Sequence, residues 1–327
     1  MSALETMMPP PKRASVNGIE IGYYEAGPRT GVPVILSHGF PELAFSWRHQ
    51  IKALGDAGRW VIAPDQRGYG LSTKPGEVAD YDIAHLTGDM VGLLDHLGVG
   101  KAIFCGHDWG GMVVWQMALM HPDRVAGVIG LNTPFMPRGP SDPIAGMRER
   151  FGPDMYIVWF QNRGEPEAVL GADTMRTMSF FMRKPAALMA AAQPQGASGS
   201  TFAFRDLLKA WDGKTGGDPL LSQEELAVFA DAFRDGGFFG PISWYRNFTR
   251  NWELAEGLPS RIDGVPCLMI TAELDAVLPP SAAEHMPALI GDLETHLVTG
   301  SGHWTQQEKP EDVNRLMLDW LDRRFPK

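Results

Sequence analysis

The sequence predicts an α/β protein: a mostly parallel sheet with helices on both faces, carrying an inserted helical cap. Three observations lead there. Strand-length apolar runs alternate with helix-like stretches over the first third of the chain. The same alternation resumes near the C-terminus, and the long middle lacks it. Finally, 327 residues is about twice an ordinary domain, so one core plus additional material is expected.

The elements follow in order. Val34–Ser37 ends at His38-Gly39, Trp60–Ala63 ends at Pro64-Asp65, and Ala102–Cys105 ends at Gly106; Val125–Leu131 completes the series. Between them Phe45–Leu54, Ile83–Leu97 and Met112–Met120 read as helices. Strands apolar on both faces that alternate with helices form parallel sheets covered on both sides. The pattern returns with Cys267–Thr271 and Thr295–Val298. A last helix opens at Pro310, with Val313, Leu316, Met317, Trp320 and Leu321 forming one apolar stripe.

From residue 135 to 259 methionines and aromatics recur at helical spacing, as in Met175, Met178 and Met182, or Trp244, Phe248 and Trp252. Residues 195–200 and 213–217 read as loops. The core is therefore 1–134 with 260–327, and 135–259 is a helical cap inserted between two core strands.

Composition excludes several classes. A net charge of −10 without a long basic run disfavours nucleic acid and anionic membrane as partners. No apolar run approaches the roughly 18 residues a membrane-spanning helix needs. Met1–Asn17 has three consecutive prolines and no apolar segment of a signal peptide, so it reads as a loosely held arm. Cys105 and Cys267 lie inside apolar strands and read as reduced, buried thiols, which fits a cytoplasmic setting. The nine histidines show no metal-ligand spacing, so neither metal nor cofactor is assigned.

The chemistry centres on Gly106-His107-Asp108-Trp109-Gly110-Gly111. A buried strand precedes it and a helix follows, the context of a nucleophile elbow with Asp108 at the exposed position. A carboxylate attacks carbonyls poorly, because the mixed anhydride that would form lies uphill of the ester. It can displace a leaving group at a saturated carbon, giving an ester that water opens. The expected substrate is therefore an epoxide or an alkyl halide.

Opening that ester requires a base, an acid to orient the base, and donors for the oxyanion. His303 follows the last strand in a glycine loop, and Asp275 follows the strand before it. The chain order Asp108, Asp275, His303 suits the elbow fold. Glu273 is the competing acid. The oxyanion donors are expected to be the N–H groups of Trp109 and of Phe40, which sits in the loop after Val34–Ser37. His38 reads as structural.

Several motifs are now on view together: His38-Gly39-Phe40-Pro41-Glu42, Ser46-Trp47-Arg48, Asp65-Gln66-Arg67-Gly68-Tyr69-Gly70, the elbow, and His303-Trp304-Thr305-Gln306. In these the chain resembles the epoxide hydrolases of the α/β-hydrolase superfamily over nearly its whole length. The resemblance implies a lid inserted after the sixth core strand and two lid tyrosines that hydrogen-bond the epoxide oxygen. Of six tyrosines only Tyr156 and Tyr245 fall inside the insertion. A neutral phenol can donate to the alkoxide formed on ring opening.

The expected partners are a small, largely apolar epoxide and water; Trp159, Phe160, Met136, Phe180 and Phe248 are candidates for the pocket wall, and each reads at least as well as a helix-core residue. Two rivals share the scaffold. A dehalogenase would use the same Asp, but the His-Gly-Asn loop of haloalkane dehalogenases is His38-Gly39-Phe40 here. Fluoroacetate dehalogenases carry an arginine where Trp109 stands. A non-catalytic binding protein would show a broken residue set.

Overall fold

The computed structural model describes residues 2–185 and 202–327. Eight strands form one sheet: β1 (Lys12–Val16), β2 (Ile19–Ala26), β3 (Val34–Ser37), β4 (Val61–Pro64), β5 (Ala102–His107), β6 (Val125–Leu131), β7 (Cys267–Ala272) and β8 (Leu293–Val298). Their order is β1-β2-β4-β3-β5-β6-β7-β8. β1, β2 and β4 pair antiparallel, and every pairing from β4 through β3 to β8 is parallel. The central strands β3, β4, β5 and β7 are buried along their whole length, which accounts for their uninterrupted apolar runs.

The sheet order reverses at β3, which has β4 on one side and β5 on the other. Ligands of open α/β sheets bind beyond the strand ends at such a reversal. Here Ser37 pairs with Gly106, so the loops carrying Phe40 and Asp108 emerge side by side.

Helices Ile83–Leu97 and Pro310–Arg324 form as expected, and the five stripe residues of the latter are all buried. The element after β3 begins as a 3-10 turn, Ala44–Trp47, before the helix Arg48–Asp56. Both cysteines are free and buried.

The N-terminal segment differs from expectation. It is not a loose arm: Ala3–Met7 is a helix capped by Ser2 and Glu5, Met8 is buried, and Lys12–Val16 is the edge strand β1. One face of β1 meets solvent, so the strand lacks the continuous apolar run of its interior neighbours.

Between β6 and β7 the described residues are helices and loops, with an isolated bridge between Arg183 and Pro219. The stripe drawn through Trp244, Phe248 and Trp252 is broken at Asn247, where the helix Phe239–Arg246 gives way to Phe248–Leu254. Residues 213–217 are indeed a loop, whereas 195–200 lie outside the described residues. This helical segment is tied to the core by buried polar contacts. Trp244 Nε1 donates to the Arg67 carbonyl at 3.1 Å, and Arg48 Nε donates to Glu225 at 2.9 Å. No helix among the described residues is long and apolar enough to cross a membrane.

Candidate active site

The turn between β5 and the helix Trp109–Met120 carries Asp108 at φ 51°, a conformation that costs a non-glycine residue energy. Glycines make the turn fit. A Cβ on Gly106 would stand 2.1 Å from the Gly110 carbonyl oxygen, and one on Gly110 would stand 2.0 Å from that of Ser37. The strain therefore lifts the Asp108 side chain above the sheet edge, at the N-terminus of a buried helix.

Phe40 N–H donates to Asp108 Oδ1 at 2.7 Å, and the N–H of Trp109, the next residue, favours the charge of the same carboxylate. The two expected oxyanion donors thus converge on Asp108. Burial pushes the Asp108 carboxyl above its ordinary range, while His303, His107 and these N–H groups pull in the opposite direction.

His303 Nδ1 lies 2.9 Å from Asp275 Oδ2, and its Nε2 lies 3.7 Å from Asp108 Oδ2. Asp275 is fully enclosed. It accepts from Val277 N at 2.8 Å, Leu278 N at 3.0 Å and Asn132 Nδ2 at 2.6 Å. Burial opposes its charge, but His303 and these donors outweigh burial and hold the carboxyl well below its usual range. For His303 burial favours the neutral ring, yet Asp275, Asp108 and Glu42 prevail and raise the imidazole to about 9. Glu273 is not the partner of His303; its carboxylate instead accepts from Gly300 N at 2.8 Å. His38 is buried and bonded to Gly39 O and Gln66 N, as a structural residue would be.

Tyr156 opens the helix Tyr156–Trp159, and Tyr245 lies on Phe239–Arg246. Gln161 Nε2 clamps these helices by donating to the carbonyls of Ile157 (2.8 Å) and Tyr245 (3.1 Å). The two phenol rings meet edge to face at 5.7 Å. Both rings border a cavity of about 580 Å³ together with Phe40, Asp108, Phe180 and His303. Burial, reinforced by the Asp108 charge, pushes both phenols up, so they stay neutral donors.

The cavity separates the pocket-wall candidates from the core. Phe180 lines the cavity, but Trp159, Phe160, Met136 and Phe248 do not. Phe160 packs behind the tyrosines, with its ring 5.7 Å from Tyr156 and 5.1 Å from Tyr245. Phe248 packs on Trp109 at 5.0 Å, and Met136 is solvent-exposed. Helical spacing marks a buried face without telling cavity from core.

Sequence reasoning also missed Asn132, which bonds Asp275, and the pair Glu42–His107. Both of the pair sit in motifs that were visible, but they lie 65 residues apart and only the fold joins them.

Comparison with known proteins agrees with this geometry. The alpha/beta hydrolase fold family matches residues 32–310. Epoxide hydrolase A of Mycobacterium tuberculosis is 42% identical over 322 residues, covering 96% of this chain and 97% of that protein. Bifunctional epoxide hydrolase 2 of Sus scrofa is 39% identical over 93% of this chain, which spans 54% of that longer protein. The crystal structure of epoxide hydrolase A from Mycobacterium thermoresistibile has a TM-score of 0.86 at 41% identity, covering 97% of this chain and 99% of that one. By fold and by full-length likeness, the chain belongs to the epoxide hydrolase family of the alpha/beta hydrolase fold.

Proposed function

We propose that the protein hydrolyses a small, largely apolar epoxide to a vicinal diol through a covalent ester on Asp108, with residues 135–259 acting as the cap. The observation that carries this reading is the shared cavity: the Asp108 carboxylate and two neutral phenols border the same largely apolar space.

In the first step an Asp108 oxygen attacks one ring carbon and the carbon–oxygen bond of the epoxide breaks. Tyr156 and Tyr245 donate hydrogen bonds to the departing oxygen, and one phenol supplies its proton. In the second step His303 takes a proton from water while that water attacks the ester carbonyl carbon. The N–H groups of Phe40 and Trp109 hold the oxyanion that develops. Collapse releases the diol and regenerates the carboxylate, and the proton held by His303 restores the tyrosine.

The order of events suits the electrostatics. While Asp108 is charged, His303 is held protonated and is no base. Esterification removes that charge, so the imidazole releases its proton to solvent before water is activated, and it takes one up again when the Asp108 carboxylate is regenerated.

Two measurements test the reading. A single turnover in ¹⁸O-water should give diol with unlabelled oxygen, because the transferred atom comes from Asp108. Labelled diol in that first turnover would exclude the ester. Incubation with an epoxide and with a bromoalkane, assaying diol and free halide separately, should yield diol without halide; halide release would favour a dehalogenase. Loss of both products would revive a binding protein.

A further inference from the structure

The sheet ends at β8, and among the described residues no strand pairs with its outer edge. Asp292 O accepts from Cys267 N at 2.8 Å and Val298 O accepts from Glu273 N at 3.1 Å, so the even-numbered residues turn their backbone groups towards β7. A strand alternates with a period of two, which points the N–H and C=O groups of Leu293, Thr295 and Leu297 away from the sheet. Exposed edges are ordinarily blunted by lysine, proline or a bulge. The opposite edge, β1, begins with Lys12-Arg13. β8 runs Leu293-Glu294-Thr295-His296-Leu297-Val298, with neither of those residues and no shift in its register with β7. Leu297 is 51% exposed, more than any other large apolar side chain of the strands.

The sequence of this edge complements its own reverse. Set antiparallel about a two-fold axis at Thr295, Leu293 faces Leu297 of a second copy, Glu294 faces His296, and Thr295 faces Thr295. The outward-facing residues then fall on the hydrogen-bonded pairs of an antiparallel ladder, giving about six main-chain bonds. Glu294 and His296 fall on the intervening pairs, where side chains approach closest. An imidazole carries at least one N–H for a carboxylate to accept. Neighbouring registers are worse. Centred on Glu294, the two carboxylates would oppose each other; centred on His296, Glu294 would face Val298 and lose that donor. Arg323 Nη2 donates to Glu294 at 2.7 Å, and Asp319 and Arg323 border the groove between β8 and the helix Pro310–Arg324. The flank beside the strand therefore carries both signs, and two copies meet without a single-sign face between them.

We propose that β8 is a dimer interface: two copies of this chain join by antiparallel pairing of their β8 strands about Thr295, extending one sheet through both. The interface is independent of the reaction proposed above. No β8 residue borders the cavity shared by Asp108 and the tyrosines, so loss of the dimer should leave turnover intact.

Sedimentation velocity of the full chain at about 50 μM should show a dimer. Leu297→Lys sets a charge against Leu293 of the second copy, and Thr295→Pro removes an outward N–H while sparing the ladder to β7. Each should weaken the dimer at least about tenfold, with circular dichroism and diol formation as in wild type. Cysteine cross-linking reads the register separately, since both native cysteines are buried. Thr295→Cys should form an intermolecular disulfide under a mild oxidant. Leu293→Cys should not, because its two copies would stand about 14 Å apart along the strands. A wild-type monomer overturns the proposal and leaves the edge open or held for a different chain. A dimer that survives both Leu297→Lys and Thr295→Pro overturns it by placing the interface elsewhere, and cross-linking at Leu293 rather than Thr295 overturns the register. Should Thr295→Pro fail to fold, Leu297→Lys, at an exposed position, decides together with the cross-links.

Discussion

His303 Nε2 stands 3.7 Å from Asp108 Oδ2 while its other ring nitrogen is bonded to Asp275. The gap is too long for a hydrogen bond yet short enough for strong electrostatic coupling. The histidine is therefore coupled to the free Asp108 carboxylate without a hydrogen bond, and each charge sustains the other in the resting protein.

This coupling makes stability depend on alkaline pH. His303 titrates at about 9 in the folded protein against 6.5 ordinarily, so its protonated form is favoured by folding. Its contribution is complete below pH 6.5 and is lost as pH rises towards 9. Thermal midpoints should fall across that window. In Asp275→Asn the same slope should be shallower, which parallel melts at pH 6, 7.5 and 9 would reveal.

Removing the Asp108 carboxylate should separate activity from stability. Asp108→Ala is expected to lose at least about 10³-fold in diol formation, with the fold retained. Burial disfavours the Asp108 charge, so the thermal midpoint of the variant should equal or exceed that of wild type. Product assays and a melt on the same preparation check both halves.

The two phenols should be partly redundant. Tyr156→Phe or Tyr245→Phe alone should cost on the order of tenfold in ester formation, since one donor remains. The double variant should cost at least about 10²-fold. Both rings stay packed without their hydroxyls, so circular dichroism should be unchanged. Near wild-type ring opening by the double variant would remove the tyrosines from the mechanism.

The elbow leaves no room for a methyl group at Gly110. A Cβ there meets the Ser37 carbonyl oxygen at 2.0 Å, a backbone atom that cannot swing aside. Gly110→Ala should destabilise the protein by about 3 kcal/mol, measured by urea unfolding. Gly146→Ala, inside the helix Pro143–Phe151 with nothing within 4 Å, serves as the control and should raise the unfolding midpoint slightly, because alanine favours a helix over glycine.

Legibility in the sequence followed the range of the forces. Asp108 could be singled out because its turn is specified by glycines within a few residues, where sterics act locally. Strands β3 to β7 could be read because burial on both faces demands continuous apolar runs. β1 could not, because an edge strand needs only one apolar face. The pocket wall stayed open between cavity and core because a buried Phe160 and a cavity-lining Phe180 look alike in helical spacing.

By itself the sequence determined an elbow bearing Asp108, an acid and a histidine after later strands, and an insertion holding two tyrosines. Tertiary structure decided which groups meet. The β3–β5 register sets Phe40 beside Asp108, the loops after β7 and β8 join Asp275 rather than Glu273 to His303, and the packing of distant segments buries Glu42 against His107. The reason is physical. Turn conformation is governed by contacts between neighbouring residues, whereas these meetings depend on strand order and on packing across long stretches of chain. No short motif encodes either.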